Sequence, residues 1–263
     1  MFLNNGIDIE EIYSKYLDSK QEENTEKRYK GNESYYHASK AGFCSRNIYY
    51  QSVQNIKETN KPKPIQSRIM RLGTIVHEDF EKAFDLYNNN IYNKLIYNNI
   101  NRDKKKNNKK EKQLEFLIEG ELILDELNVR GFYDLIAKSN GYVYLYDIKT
   151  MGSWPWKWSI SKNGTGKESH HLQLATYGLA VKEKYGRLDG MYLLYYNKDT
   201  SVMKQIPVPL STLIQAENYW SNIKEEHKGG LPQFKMGSSP VEEWNCSYCN
   251  YYDYCKPPIA KKR

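Results

Sequence analysis

The sequence has little that would take it into a membrane or across one. No run of 18 apolar residues occurs, which excludes a hydrophobic spanning helix. The opening MFLNNGIDIEEIYSKYLDSK has neither the basic start nor the apolar core of a signal peptide, so a cytoplasmic protein is expected. Cysteine is scarce, with four in 263 residues, and in a reducing compartment these read as ligands or free thiols before they read as two disulfides. A G-x-x-x-x-G-K-[ST] phosphate loop is absent, and Asn163-Gly-Thr-Gly-Lys167 is too short to replace one, so no ATP-driven motor is expected. Nor is there an internal repeat. Phenylalanine is also sparse, at 7 residues.

Tyrosine is abundant instead: 24 tyrosines and 5 tryptophans supply side chains apolar in body and polar at the tip. Such residues suit a nucleic-acid channel, and they equally suit a core in which Tyr stands in for Phe. The formal charge of +7 favours a polyanionic partner, although part of it comes from the single stretch Arg102 to Lys112.

Periodicity divides the chain. Residues 1–34 read as a peripheral helix and linker, with apolar spacing at Ile9, Ile12, Tyr13 and Tyr16. Residues 35–255 read as one domain carrying an exposed Asn/Lys-rich insertion at about 88–112, and 256–263 as a basic tail. Ile65 to Tyr87 has helical spacing at Ile69, Leu72, Val76, Phe80 and Phe84. Strands are expected over 116–124, 129–137 and 142–149, the last two joined by a turn at Lys138–Gly141. An irregular loop with Trp154, Trp156 and Trp158 follows, then a helix over 170–184, strands over 190–196 and 202–208, and a helix over 211–227. Residues 231–263 are too polar and Pro/Gly-rich to form a large core and read as pinned by their cysteines.

Alternation along a strand puts Val143, Leu145, Asp147 and Lys149 of YVYLYDIKT on one face, and Phe132, Asp134 and Ile136 of GFYDLIA on one face. A hairpin would set Asp134 beside Asp147. Two such carboxylates repel unless a cation lies between them, and a hard ion such as Mg²⁺ or Mn²⁺ takes oxygen ligands of this kind. That ion can activate water and offset charge growing on a phosphate, with Lys149 beside it. Alone, D-x-K is more often a surface Asp–Lys pair. His77, one turn from Gly73 and Glu81, can add an imidazole ligand, and Gln173 and Tyr177, also one turn apart, can face the same groove. Cys246-x2-Cys249-x5-Cys255 with the distant Cys44 fits either structural Zn²⁺ or an iron–sulfur cluster.

The order G-x-x-x-H (Gly73 to His77), G-x-x-D (Gly131 to Asp134), D-x-K (Asp147 to Lys149) and Q-x-x-x-Y (Gln173 to Tyr177) resembles the PD-(D/E)XK nuclease superfamily, in particular its RecB-like exonuclease branch. Asp147 stands where many relatives have Glu. The resemblance implies an α/β restriction-endonuclease-like core: a mixed central sheet flanked by helices. It implies metal ligation by His77, Asp134, Asp147 and the carbonyl of Ile148, catalysis by Lys149, and DNA contacts from the helix bearing Gln173 and Tyr177. One cysteine before this core and three after it is similar to the iron–sulfur-bearing branch, which includes the CRISPR-associated RecB-like exonucleases and the AddB nuclease domain. That likeness implies a [4Fe–4S] cluster on Cys44, Cys246, Cys249 and Cys255, stapling a helical tail annex to the amino-terminal part. The expected activity is a metal-dependent exonuclease acting on single-stranded DNA in repair, recombination or CRISPR adaptation, with a protein partner in such a complex. A structure-selective endonuclease and a non-catalytic DNA-binding subunit are the alternatives. Trp154, Trp156, Trp158, Lys157 and Lys162 read either as a base-stacking loop or as a plug over the core.

Overall fold

The computed structural model describes residues 8–29, 35–60, 62–89, 114–236 and 243–256. Most of the 88–112 insertion and of the basic tail lies outside these residues. At the centre is a six-stranded mixed sheet built from β1 (Tyr36–His37), β2 (Leu114–Leu124), β3 (Val129–Ser139), β4 (Tyr142–Met151), β5 (Gly190–Asn197) and β6 (Met203–Val208). β2, β3 and β4 run antiparallel in sequence, β4 and β5 pair parallel, and β6 returns antiparallel to β5. The expected mixed sheet is present.

The β3–β4 connection has a local cause. Asn140 and Gly141 have φ of 53° and 82°, the left-handed pair that a two-residue hairpin turn requires. That tight turn sets the register Ser139↔Tyr142 through Leu135↔Tyr146. Beyond Leu135 the two strands part. The edge of β3 that faces β4 over residues 135–139 faces β1 over Val129 and Arg130, leaving 131–134 without a strand partner on that side. The catalytic candidates gather at this gap.

Helices cover the sheet: α1 (Ile9–Tyr29), α2 (Ser45–Ser52), α3 (Pro64–Asn88), α4 (Glu168–Tyr185) and α5 (Thr212–Lys228). Parallel strands need a crossover, and α4 carries it between β4 and β5. Its buried Leu174, Ala175, Tyr177 and Val181 pack with Leu145, Met191 and Leu193 of the sheet, and Trp220 of α5 closes the layer. Trp220 is fully buried and its indole N–H donates to Thr176 Oγ1 at 2.8 Å.

Three sequence expectations change. The stripe Ile9, Ile12, Tyr13 and Tyr16 faces solvent, and Leu17 is buried. Residues 151–169 are not irregular throughout: Ser153–Trp156 is one helical turn and Lys157–Lys162 a stretch of π-helix. The tail is anchored by residues other than cysteine. Tyr251 is fully buried and rings of Tyr50, Tyr251 and Tyr254 meet. Asn60 Nδ2 donates to Cys249 O, and Arg46 Nη1 to Pro232 O.

Candidate active site

Asp134 sits at the last residue of the gap in β3, and its carboxylate takes over from the backbone ladder. Asp134 Oδ2 accepts the Ile148 N–H at 2.6 Å, so the side chain clamps β4 where the strand pairing ends. Its other oxygen, Oδ1, lies 3.6 Å from His77 Nδ1 on α3. Burial alone would lower the affinity of His77 for a proton, but the hydrogen bond and charge of Asp134 outweigh it and hold the imidazole above its ordinary value.

Asp147 is 1% exposed. Burial pushes its carboxyl up to about 6, against the pull of Lys149 and with the repulsion of Asp134. Lys149 Nζ stands 2.7 Å from Asp147 Oδ2, so the buried carboxyl is paired with the ammonium. The repulsion between Asp147 and Asp134 persists beside that ammonium, and a cation between the two carboxylates would offset it. The donor types therefore fit a hard divalent ion. Among the described residues no three side chains of His, Cys, Asp and Glu are close enough to form a metal cage.

Lys149 is held from its other side. Its ammonium donates to Gln173 Oε1 at 3.0 Å, and Gln173 Nε2 donates to the Tyr177 hydroxyl at 2.9 Å. Burial, with Asp147 nearby, holds that hydroxyl in its protonated form far above the ordinary range. Tyr177 is buried beneath this chain and acts through Gln173. Two glycines of the sequence pattern make room for these contacts. A Cβ on Gly131 would meet the Tyr177 ring at 2.6 Å, and one on Gly73 would meet Thr150 Oγ1 at 2.8 Å. Gly73 thus lets α3 approach β4.

Two carboxylates beside the site were not singled out as ligands in the sequence. Glu81, one turn beyond His77, and Glu119 line the groove that also holds His77 and Asp134. Burial and the Glu119 charge raise the Glu81 carboxyl. Glu119 falls where β2 would pair with Asp134, and that pair is missing: Ile118↔Leu135 and Gly120↔Tyr133 flank it, with Glu119 at φ 36°. The spacing from His77 could have found Glu81. Nothing in EFLIEGELIL distinguishes Glu119 from its neighbours.

All four cysteines are free thiols lining one cavity of about 840 Å³, together with Gln173 and His170. Cys249 Sγ accepts from Asn47 Nδ2 at 3.3 Å and from Tyr251 N at 3.4 Å. Burial raises the Cys255 thiol, and Arg46 and Lys235 oppose this. The tryptophan loop divides. Trp156 packs on the core, whereas Trp154 and Trp158 are 75% and 45% exposed, with Lys162 Nζ 3.7 Å above the Trp158 ring. Tyr36 is a core residue stacked on Trp220.

Comparison with known proteins follows this geometry. Among solved structures, SSO0001 is similar over 93% of this chain and 96% of its own, with 18% identity and a TM-score of 0.53, a likeness of fold. The alkaline exonuclease LHK-Exo from Laribacter hongkongensis matches 78% of this chain and 94% of its own, at 13% identity and a TM-score of 0.47. The comparison with curated proteins finds no match. The sequence profile of the PD-(D/E)XK nuclease superfamily matches residues 91–256, a span that holds Asp134, Asp147, Lys149, Gln173, Tyr177 and three cysteines but neither His77 nor Cys44. The chain belongs to the PD-(D/E)XK nuclease superfamily and is a nuclease.

Proposed function

We propose that the chain is an exonuclease acting on single-stranded DNA, of the RecB-like branch, in repair, recombination or CRISPR adaptation. The observation that carries the reading is the buried Asp147 carboxyl set between Asp134 and Lys149. Nucleases of this superfamily typically use Mg²⁺ or Mn²⁺, and here His77, Asp134, Asp147 and the Ile148 carbonyl would hold the ion. Such an ion supplies Lewis-acid stabilisation of phosphate charge and lowers the pKa of water. The chain's own residues do the rest. Gln173 and Asp147 fix the Lys149 ammonium from two sides, aiming it where negative charge develops on the scissile phosphate. Tyr177 fixes Gln173. Asp134 fixes the Ile148 backbone.

Preference for a single strand is supported by Trp154 and Trp158, two exposed rings whose centroids lie 6.4 Å apart, with Lys162 alongside. Such rings stack unpaired bases. A [4Fe–4S] cluster on Cys44, Cys246, Cys249 and Cys255 rests on their spacing in sequence and their shared cavity, with structural Zn²⁺ the alternative, and binding would have to draw together thiols that form no ligand group among the described residues. The cluster would join tail to α2 without taking part in cleavage.

The test is digestion of 5′- and 3′-labelled single strands by anaerobically purified protein, with and without Mn²⁺, beside a closed circular single strand. Metal-dependent shortening from one end with the circle intact is expected. Cutting of the circle would replace the exonuclease with an endonuclease.

A further inference from the structure

Lys198 lies outside every motif that carries the nuclease reading, yet it reaches the same groove. It follows β5 directly, in the turn to β6. Its backbone N–H donates to Met151 O at 2.9 Å, tying the turn to the end of the strand that bears Lys149. Asn197 Oδ1 accepts from Asp199 N and Thr200 N, and Asp199 Oδ2 accepts from Ser153 N at 2.6 Å. The turn is thus cross-braced before any ligand arrives, the rigidity a binding residue needs.

From that turn the Lys198 side chain runs towards α3. Its ammonium donates to Ile69 O at 2.8 Å and lines the groove of about 610 Å³ that also contains His77, Glu81, Glu119, Asp134 and Thr150. Among the groove-lining residues it is the only lysine or arginine. The carboxylate whose charge acts on it is Asp199, next in sequence, and Asp199 is committed to Ser153. An ammonium has three donors, and one carbonyl uses one of them.

The groove otherwise repels a polyanion. Arg71 offsets Glu78 at 2.7 Å, but Glu81, Glu119 and Asp134 remain. A divalent ion would offset charge only where it binds. Any phosphate lying along the α3 side of the site needs another cation, and Lys149 is turned to Gln173 on α4.

We infer that Lys198 binds a backbone phosphate of the nucleic-acid strand next to the scissile one, fixing the strand's path along the α3 side of the catalytic carboxylates. This rests on the reading of the site as a nuclease centre and adds to it the residue that positions the substrate backbone. Contact with phosphate carries no base preference.

The bland possibility is that Lys198 merely ties the turn to α3 through Ile69. Binding of fluorescein-labelled oligothymidylate, measured without divalent metal across a KCl series, separates the two. Lys198→Gln is expected to raise Kd about five- to tenfold and to flatten the slope of log Kd against log salt by about 0.7, the contribution of one phosphate contact on a single strand. Lys198→Arg is expected to restore the slope. An unchanged slope in a folded Lys198→Gln variant overturns the inference. Reductive methylation of the wild-type protein needs no substitution and decides the matter if the glutamine variant fails to fold. Lys198 is expected to be protected by oligothymidylate, and equal labelling with and without the strand overturns the inference. Failure of the wild type to cleave any DNA would instead strike the nuclease reading, because neither binding measurement depends on turnover.

Discussion

Asp147 and His170 show how burial sets the behaviour of single residues near the Lys149 ammonium. Asp147 is buried, and the repulsion of Asp134 adds to the cost of its charge in the folded chain. Asp147→Asn keeps the shape and removes that charge. It is expected to lower turnover by about 10³-fold, as loss of a principal electrostatic group does, while the metal-free melting temperature stays level or rises. Wild-type-like turnover in a labelled-strand assay would refute the assignment. His170 is neutral for a different reason. Burial, with Lys149 and Lys167 adding to it, takes its imidazole down to about 3. The Tyr195 hydroxyl accepts from Lys167 N and stands 2.9 Å from His170 Nδ1, which suits a neutral ring accepting the hydroxyl proton. A depressed pKa means the unfolded chain binds the proton more tightly. The stabilising contribution is therefore fully present above about 6.5 and is lost as pH falls from there towards 3. Urea midpoints at pH 8 and pH 5 should differ less in His170→Asn than in the wild type. An equal difference would show that His170 does not contribute.

At the scale of elements, the gap in β3 does most to build the site. β1 and β4 share one edge of β3 without meeting, and the unpaired stretch between them admits the Asp134 carboxylate and the Tyr177 ring. The helical turn and π-helix after β4 have a similar divided duty. Trp156 is anchored against the core, and that anchorage presents Trp154 and Trp158 outward. Trp154→Ala and Trp158→Ala are each expected to weaken single-strand binding, with about 1–3 kcal/mol for each lost base stack. Trp156→Ala is expected to act on stability instead, costing up to about 3 kcal/mol in thermal or urea unfolding. The reverse assignment of effects would show that the loop is a plug and not a stacking surface.

Across the whole molecule, the tail meets the segment that holds α2. The Thr59 and Asn60 N–H groups donate to Asn250 O, Asn47 Nδ2 donates to Cys249 Sγ, and the four cysteines line one cavity between α2 and the tail. Closing a loop of about two hundred residues costs appreciable chain entropy, which a metal centre can offset by coupling its binding to folding. Replacing any one of Cys44, Cys246, Cys249 or Cys255 with Ala is expected to bleach a broad absorbance near about 400 nm and to bring iron below the four per chain of a [4Fe–4S] centre. It should also open the tail to protease. Because Tyr251 and the hydrogen bonds to Asn60 and Arg46 also anchor the tail, its release should be partial. A colourless wild type with one zinc and no iron would exchange the cluster for zinc and leave the nuclease centre untouched. Among the described residues no helix is long and apolar enough to cross a membrane.

Much of this architecture was legible in the chain itself, because its signals are local. The alternation of YVYLYDIKT and the Asn-Gly turn specify a hairpin, and the spacing of Gly73, His77, Gln173 and Tyr177 specifies helix faces. From these alone Asp134, Asp147 and Lys149 fall at one end of one sheet. Which apolar stripe is buried was not legible. Ile9, Ile12, Tyr13 and Tyr16 have helical spacing and face solvent, since periodicity identifies a face but not the neighbour that covers it. Glu119 and Lys198 come to the groove by a missing strand pair and by a turn braced against Met151, contacts between segments distant in sequence. The residues with local periodicity were therefore determined by sequence, whereas the unpaired edge of β3, the burial of Asp147 and the placement of Lys198 were decided only by tertiary packing, because each depends on where separate strands diverge.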